Sequence, residues 1–208
     1  MKKIILLVFV FITSIGNSQS NISKKNRMIQ KKMETATFAN GCFWCTEAIF
    51  QLLNGVESVS SGYTGGTVIN PTYKEICTGQ TGHAEGIRIK YNSSIISFKE
   101  LLEVFFSTHD PTTLNRQGYD TGTQYRSAIF YHDLNQKKQA EEFIKSLTKA
   151  QVFDKPIVTE VTKLDVFYKA EEYHQNYYNN NKSQGYCRAV INPKLEKFIK
   201  ENKSKLKH

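Results

Sequence analysis

The chain has 208 residues and a formal net charge of +9, from 28 Lys and Arg against 19 Asp and Glu. That length fits one domain able to build its own core without disulfide staples. Much of the basic excess sits near the ends, at Lys24, Lys25, Arg27, Lys31 and Lys32 and again from Lys194 to Lys207. It is not interleaved with aromatics on a folded face, which argues against a nucleic-acid surface.

Met1-Lys2-Lys3 precedes an apolar run over 4–12 and then small and polar residues to Ser20. This pattern reads as an export signal over 1–20, with a basic linker over 21–33 and the functional domain over 34–208. The expected location is therefore periplasmic or otherwise extracytoplasmic. The apolar run is too short to span a bilayer, so no obligatory membrane contact is expected. Retention as an N-terminal anchor is the alternative reading.

In chain order, residues 35–39 predict a strand, and a helix opened by Cys42 carries Ala48, Ile49, Leu52 and Leu53 at helical spacing until Gly55 ends it. A short strand over 56–60 leads into a glycine-rich loop over 62–83, long enough to suggest function. Residues 84–91 alternate as a strand, with Ile87, Ile89 and Tyr91 on one face. Ser97 and Glu100 form a capping-box pattern ahead of a helix through Leu101, Leu102, Phe105 and Phe106. A second long loop spans 109–123, followed by a strand over 125–131, a helix over 134–150 and a strand over 157–164. Residues 170–178 suggest a short helix. The tail from Tyr186 reads as irregular until Pro193 opens a last helix. The expected fold is α+β: a single two-layer domain, a mixed β-sheet with helices packed on it and a ferredoxin-like core.

Gly41-Cys42-Phe43-Trp44-Cys45-Thr46-Glu47 is the most informative segment. It places Cys42 on the first turn of a helix, where unpaired N–H groups and the helix dipole favour a thiolate. Phe43 and Trp44 can wall an apolar pocket, and Cys45 lies one turn on, within disulfide reach. Of the four cysteines, Cys77 and Cys187 stand apart, and Cys77 reads as a packed thiol without a role. A reactive thiol, an apolar pocket and a second thiol point to redox chemistry at sulfur.

Gly41-Cys42-Phe43-Trp44, Gly62-Tyr63-Thr64-Gly65-Gly66, Asn70-Pro71-Thr72-Tyr73, Thr81-Gly82-His83-Ala84-Glu85, His109-Asp110-Pro111-Thr112, Gln124-Tyr125-Arg126-Ser127 and Ala170-Glu171-Glu172-Tyr173-His174-Gln175 follow one another along the chain. In that order they resemble the peptide-methionine sulfoxide reductase A family. The resemblance implies Cys42 as nucleophile, Phe43 and Trp44 as holders of the substrate's S-methyl group, and Glu85 as proton donor. It implies Tyr73 and Tyr125 as hydrogen-bond donors to the sulfoxide oxygen, and Asp120 as a carboxylate shaping the polar pocket. The substrate would be the S epimer of methionine sulfoxide, protein-bound or free. Cys42 would pass through a sulfenic acid to an intramolecular disulfide with Cys45 or Cys187, reduced by a thioredoxin-like dithiol. Cys45 is the expected first partner and Cys187 its contender, because the sequence after Cys187 lacks the glycine-rich tail of members that use that position.

Taken on its own chemistry, Glu85 can donate a proton near neutral pH only if desolvation raises its pKa. His83 and His174 are read as structural hydrogen-bonding residues. No cofactor and no metal are expected, and a monomer is. Two rivals remain at this level. A thioredoxin-like thiol–disulfide exchanger accounts for Cys42 and Cys45 but leaves Glu85, Tyr73 and Tyr125 idle. A zinc module on Cys42, Cys45, Cys187 and a histidine lacks a second close ligand pair.

Overall fold

The computed structural model describes residues 32–207. The export signal over 1–20 and nearly all of the linker over 21–33 lie outside them. Among the described residues no helix is long and apolar enough to cross a membrane.

The sequence alternation that predicts strands produces a sheet of six, in the order β7–β6–β1–β3–β2–β8. Its strands are β1 (Met33–Asn40), β2 (Val56–Thr64), β3 (Ala84–Asn92), β6 (Ser127–Tyr131), β7 (Glu160–Lys163) and β8 (Phe167–Lys169). A separate two-residue hairpin pairs β4 (Arg116–Gln117) with β5 (Asp120–Thr121). All neighbours in the main sheet are antiparallel except β6 and β7, so the sheet is mixed. The helices are α1 (Phe43–Phe50), α2 (Tyr73–Ile76), α3 (Phe98–Ser107), α4 (Leu134–Lys149), α5 (Tyr177–Asn180) and α6 (Asn192–Glu201).

Successive side chains on a strand point to opposite faces, and β1 uses both. Phe38 meets Phe50 of α1 and Phe98 and Phe105 of α3, with ring centroids 5.1–5.9 Å apart. Ala39, the next residue, joins Ala84, Ala128 and Phe130 in a separate small cluster. Ile87, Ile89 and Tyr91 of β3 are all buried, as their spacing predicts. The capping box before α3 forms, with the Ser97 hydroxyl accepting from the Glu100 N–H and the Glu100 carboxylate accepting from the Ser97 N–H. The expected α+β architecture of helices on a mixed sheet is therefore present.

Two expectations are corrected. The predicted strand over 157–164 shortens to Glu160–Lys163, and β8, too short for any periodicity to show, adds a sheet edge against β2. The tail after Tyr186 is not irregular: Cys187–Ile191 form a π-helix that runs directly into α6. The Asn192 N–H reaches back to the Cys187 carbonyl. The wider turn accommodates Pro193, whose ring and missing N–H disrupt an ordinary α-turn. The chain end is fastened as well, with the Lys207 N–H donating to the Leu52 carbonyl and the Asn54 N–H to that of Lys205.

Candidate active site

The site forms where β1 stops. Gly41 takes φ +95°, a conformation that L side chains rarely adopt, and a Cβ there would lie 2.7 Å from the Gln117 side chain. The chain thus turns sharply at Gly41 while the β4–β5 hairpin packs against the turn. Cys42 is the N-cap of α1, and no side chain caps that end. The helix's first N–H groups therefore need partners. One finds Glu85: the Phe43 N–H donates to its Oε2 at 3.1 Å. Thr46, a turn into the helix, is fixed to the end of β1 by a 2.6 Å bond to Asn40 Oδ1.

Glu85 opens β3 opposite Tyr63 of β2 and is 1% exposed. Burial pushes its carboxyl well above the usual range, the Cys42 charge adds to this, and the Phe43 N–H opposes it. The shift is toward the protonated form, the direction a general acid needs.

A cavity of about 140 Å³ joins these groups. Cys42, Phe43 and Trp44 line it from the start of α1, with Glu85 from β3. Tyr73 enters from α2, whose own capping box, Thr72 with Glu75, fixes that one-turn helix. Asp120 enters from β5 and Tyr125 from the 3₁₀ turn Thr123–Tyr125. Arg126 braces this turn, donating to the Thr123 and Gly82 carbonyls and to Glu160. Burial, with the nearby Glu85 charge next, raises both Tyr73 and Tyr125, so both phenols stay protonated donors. Phe43 is almost wholly buried and Trp44 partly so, which gives the cavity an apolar wall continuous with the core.

Cys42 is 8% exposed and lines the cavity. Here the expected thiolate preference is corrected. Burial outweighs the helix terminus and holds Cys42 well above the ordinary thiol value; the neighbouring Cys45 thiol acts in the same direction, while Tyr186 and the Trp44 N–H oppose. Cys42, the largest influence on Cys45, draws that thiol lower. The two thiols thus push each other's ionisation in opposite directions. All four cysteines are free thiols. Cys187 is buried in the π-helix and burial raises it, with the Cys42 charge as the second influence. Cys77 is exposed, not packed.

Every residue read as functional from the sequence, apart from the two candidate second cysteines, lines this cavity. One further residue does so too. Tyr186 donates to Asp120 Oδ2 at 3.2 Å and stands 3.9 Å from Cys45 Sγ. Its place beside Cys187 in Gly185-Tyr186-Cys187 was the available signal. Of the two histidines, His83 is structural as expected, accepting from the Gly66 N–H and bonding the Val68 carbonyl. His174 is buried behind the cavity and accepts the Trp44 indole N–H at 3.1 Å. Among the described residues no group of three or more His, Cys, Asp and Glu is arranged to hold a metal.

A thiol lining a small aromatic cavity, a second thiol one helical turn away and a buried carboxyl in the same cavity mark a thiol-dependent oxidoreductase. The family described as peptide methionine sulfoxide reductase matches residues 34–207. Peptide methionine sulfoxide reductase MsrA of Saccharolobus solfataricus is 54% identical over 175 residues, covering 84% of this chain and 98% of that protein. Mxr1 from Saccharomyces cerevisiae in reduced form superposes with a TM-score of 0.70 at 36% identity, over 76% of this chain and 91% of that one. The same yeast protein in complex with Trx2 gives 0.51 at 27% identity, over 71% and 86%. The chain belongs to the peptide methionine sulfoxide reductase family and is an oxidoreductase acting on methionine sulfoxide.

Proposed function

We propose that the chain reduces the S epimer of methionine sulfoxide, protein-bound and free, with Cys42 as nucleophile and Glu85 as acid. The observation that carries this reading is the Phe43 N–H bond to Glu85 Oε2, which sets a buried carboxyl, shifted toward its protonated form, in the cavity that Cys42 also lines. Cys42 Sγ attacks the sulfoxide sulfur as its thiol proton passes to Cys45, the lower of the pair. The oxygen, held by the Tyr73 and Tyr125 hydroxyls, takes the Glu85 proton. The S-methyl group rests against Phe43 and Trp44, and Asp120 shapes the polar side. Methionine leaves with two electrons gained, and Cys42 is left as the sulfenic acid that carries the oxygen.

A second thiol then attacks Cys42 Sγ, forming the S–S bond and releasing water. The mutual influence of the two thiols, one helical turn apart, supports Cys45 as the first partner. Cys187 is the contender, because it sits within electrostatic range of Cys42 and follows Tyr186 directly. A thioredoxin-type dithiol returns two electrons to the bridge, a reading supported by the Trx2 complex of the yeast relative. The strand order β6–β1–β3–β2, with α1 and α3 in the crossovers, supports a ferredoxin-like reading of the core. We further read residues 1–20 as a cleaved export signal, 21–33 as a linker and 34–208 as the catalytic domain of an extracytoplasmic, monomeric enzyme.

The test is turnover of each sulfoxide epimer with a dithiol reductant, on intact protein and on Cys42→Ser. Turnover of the S epimer alone, lost in the variant, is the expected result; full activity in Cys42→Ser overturns the scheme. Mass mapping of the bridge after a single turnover, in Cys45→Ser and Cys187→Ser variants, identifies the second thiol.

A further inference from the structure

The β4–β5 hairpin that brings Asp120 to the cavity also carries a side chain for which its own fold has no use. Tyr119 is 99% exposed, the barest of the large apolar side chains among the described residues, and it has no hydrogen-bond or ring partner there. Its backbone is nonetheless firmly held. Arg116 pairs with Thr121 and Gln117 with Asp120, so Gly118 and Tyr119 form a two-residue tip, with Gly118 at φ +61°. Below the tip, the Gln117 side chain accepts the Asp110 N–H and donates to the Asp110 carbonyl. The Gly122 N–H donates to the Asn115 carbonyl at 2.9 Å, and Arg116 Nε to that of Gly118 at 2.8 Å. Tyr186 fastens Asp120 as well.

A tyrosine displayed on a braced turn is preorganised for contact, because few torsions remain to be frozen when a partner meets the ring. The cavity of about 140 Å³ admits one methionine-sized side chain, so a polypeptide substrate leaves its neighbouring residues on the rim. The Tyr119 Cα lies about 3.8 Å from that of Asp120, and the ring extends farther. In an extended chain, side chains two positions apart share a face and stand about 7 Å from one another. The geometry points to Tyr119 as a specificity residue that receives an apolar side chain two positions from the methionine sulfoxide of an extended polypeptide. Because the tip is continuous with the substrate cavity through Asp120, its occupant is the substrate's own chain. This inference deepens the proposed function and rests on the sulfoxide lying in that cavity.

The test uses dithiothreitol as reductant, the peptides Phe-Ala-MetO-Ala-Phe and Ser-Ala-MetO-Ala-Ser, and free methionine sulfoxide. In the intact protein KM is expected to be about fivefold lower for the phenylalanine peptide, the size of one aromatic contact. Tyr119→Ser should bring that peptide to the KM of the serine peptide with kcat within about twofold, while Tyr119→Phe keeps the preference. Free methionine sulfoxide has no flank, and its turnover in both variants should stay within about twofold of the parent. A preference absent from the intact protein, or retained in Tyr119→Ser, overturns the proposal. So does an equal loss on the free substrate, which would mean that the tip acts by placing Asp120. A Tyr119→Ser protein that keeps the peptide preference but demands more thioredoxin makes the ring a reductant contact, and overturns it too. Failure of the underlying catalytic reading looks different: Cys42→Ser would then still turn over all three substrates.

Discussion

The backbone N–H of Phe43 donates to Glu85 Oε2, so the residue after the nucleophile holds the acid in place. One carboxyl oxygen satisfies an orphan donor of the α1 terminus, and the other is free for the substrate. The bond is to the residue's oxygen, not to its proton, which separates the placement of Glu85 from its chemistry.

Glu85→Gln keeps that acceptor but has no acidic proton. A fall in kcat of about 10²–10⁴-fold is expected, with KM changed far less. In the intact enzyme, activity should decline as pH rises through the elevated Glu85 pKa, because only the protonated acid donates. The stability sign follows from the same shift. A folded-state pKa above the unfolded value gives stability that is complete below the unfolded pKa and lost as pH rises toward the folded one. Glu85→Gln should therefore be more stable than the parent at pH 8 in urea unfolding, while being the poorer catalyst. A variant that is both active and no more stable contradicts the assignment.

Tyr186 donates to Asp120 and lies against the thiol pair, and it lowers both Cys42 and Cys45. Tyr186→Phe should raise the apparent pKa of the pair. Alkylation by iodoacetamide at pH 7 is then expected to slow several-fold, with its pH profile displaced upward. An unchanged profile would mean that the phenol only braces Asp120.

Phe43 has two duties and Trp44 chiefly one. The Phe43 ring is 1% exposed and lies 5.9 Å from Tyr63 and 5.0 Å from His174, inside the core as well as on the cavity. Phe43→Ala should cost about 3–5 kcal/mol of stability, the usual range for a buried aromatic. Trp44, half-buried and stacked on Tyr177, should show its loss first in KM: Trp44→Ala is expected to raise KM more than it lowers the urea midpoint. Equal destabilisation by the two variants would contradict this division.

What the sequence revealed and what it hid divide along physical lines. Cys42, Phe43 and Trp44 were legible because strand, glycine and helix start are local signals, and Gly41 needs only its own φ. Glu85, Tyr73, Asp120 and Tyr125 come from distant segments, and nothing local brings them together; the ordered motifs of the family did. Tyr186 escaped because its role depends on Asp120, far away in sequence; His174 was read as a hydrogen-bonding residue, but its partner, an indole from α1, was not legible. The π-helix at Cys187 was missed since Pro193 signals a helix start, while the wide turn that lets a helix run through it has no sequence period. The thiol shift failed for another reason. A helix terminus is visible in sequence, but the burial that outweighs it is a property of the assembled core.

His109 supplies the last test. Its Nδ1 bonds the Phe105 carbonyl and its Nε2 the Ser127 hydroxyl, each at 2.7 Å. Burial lowers its pKa to about 4, against the ordinary 6.5. The folded protein keeps this ring neutral while the unfolded chain binds a proton below pH 6.5, so stability is present above that value and is lost as pH falls toward 4. The full loss is about 3 kcal/mol by linkage. Nearby carboxylates also titrate in this range, so the difference between parent and variant is the useful quantity. His109→Asn should be less stable than the parent at pH 7 and close much of that gap by pH 4.5 in paired urea titrations. A gap that stays constant between the two would show that His109 protonates as readily in the folded state as in the unfolded one, against the desolvation of its ring.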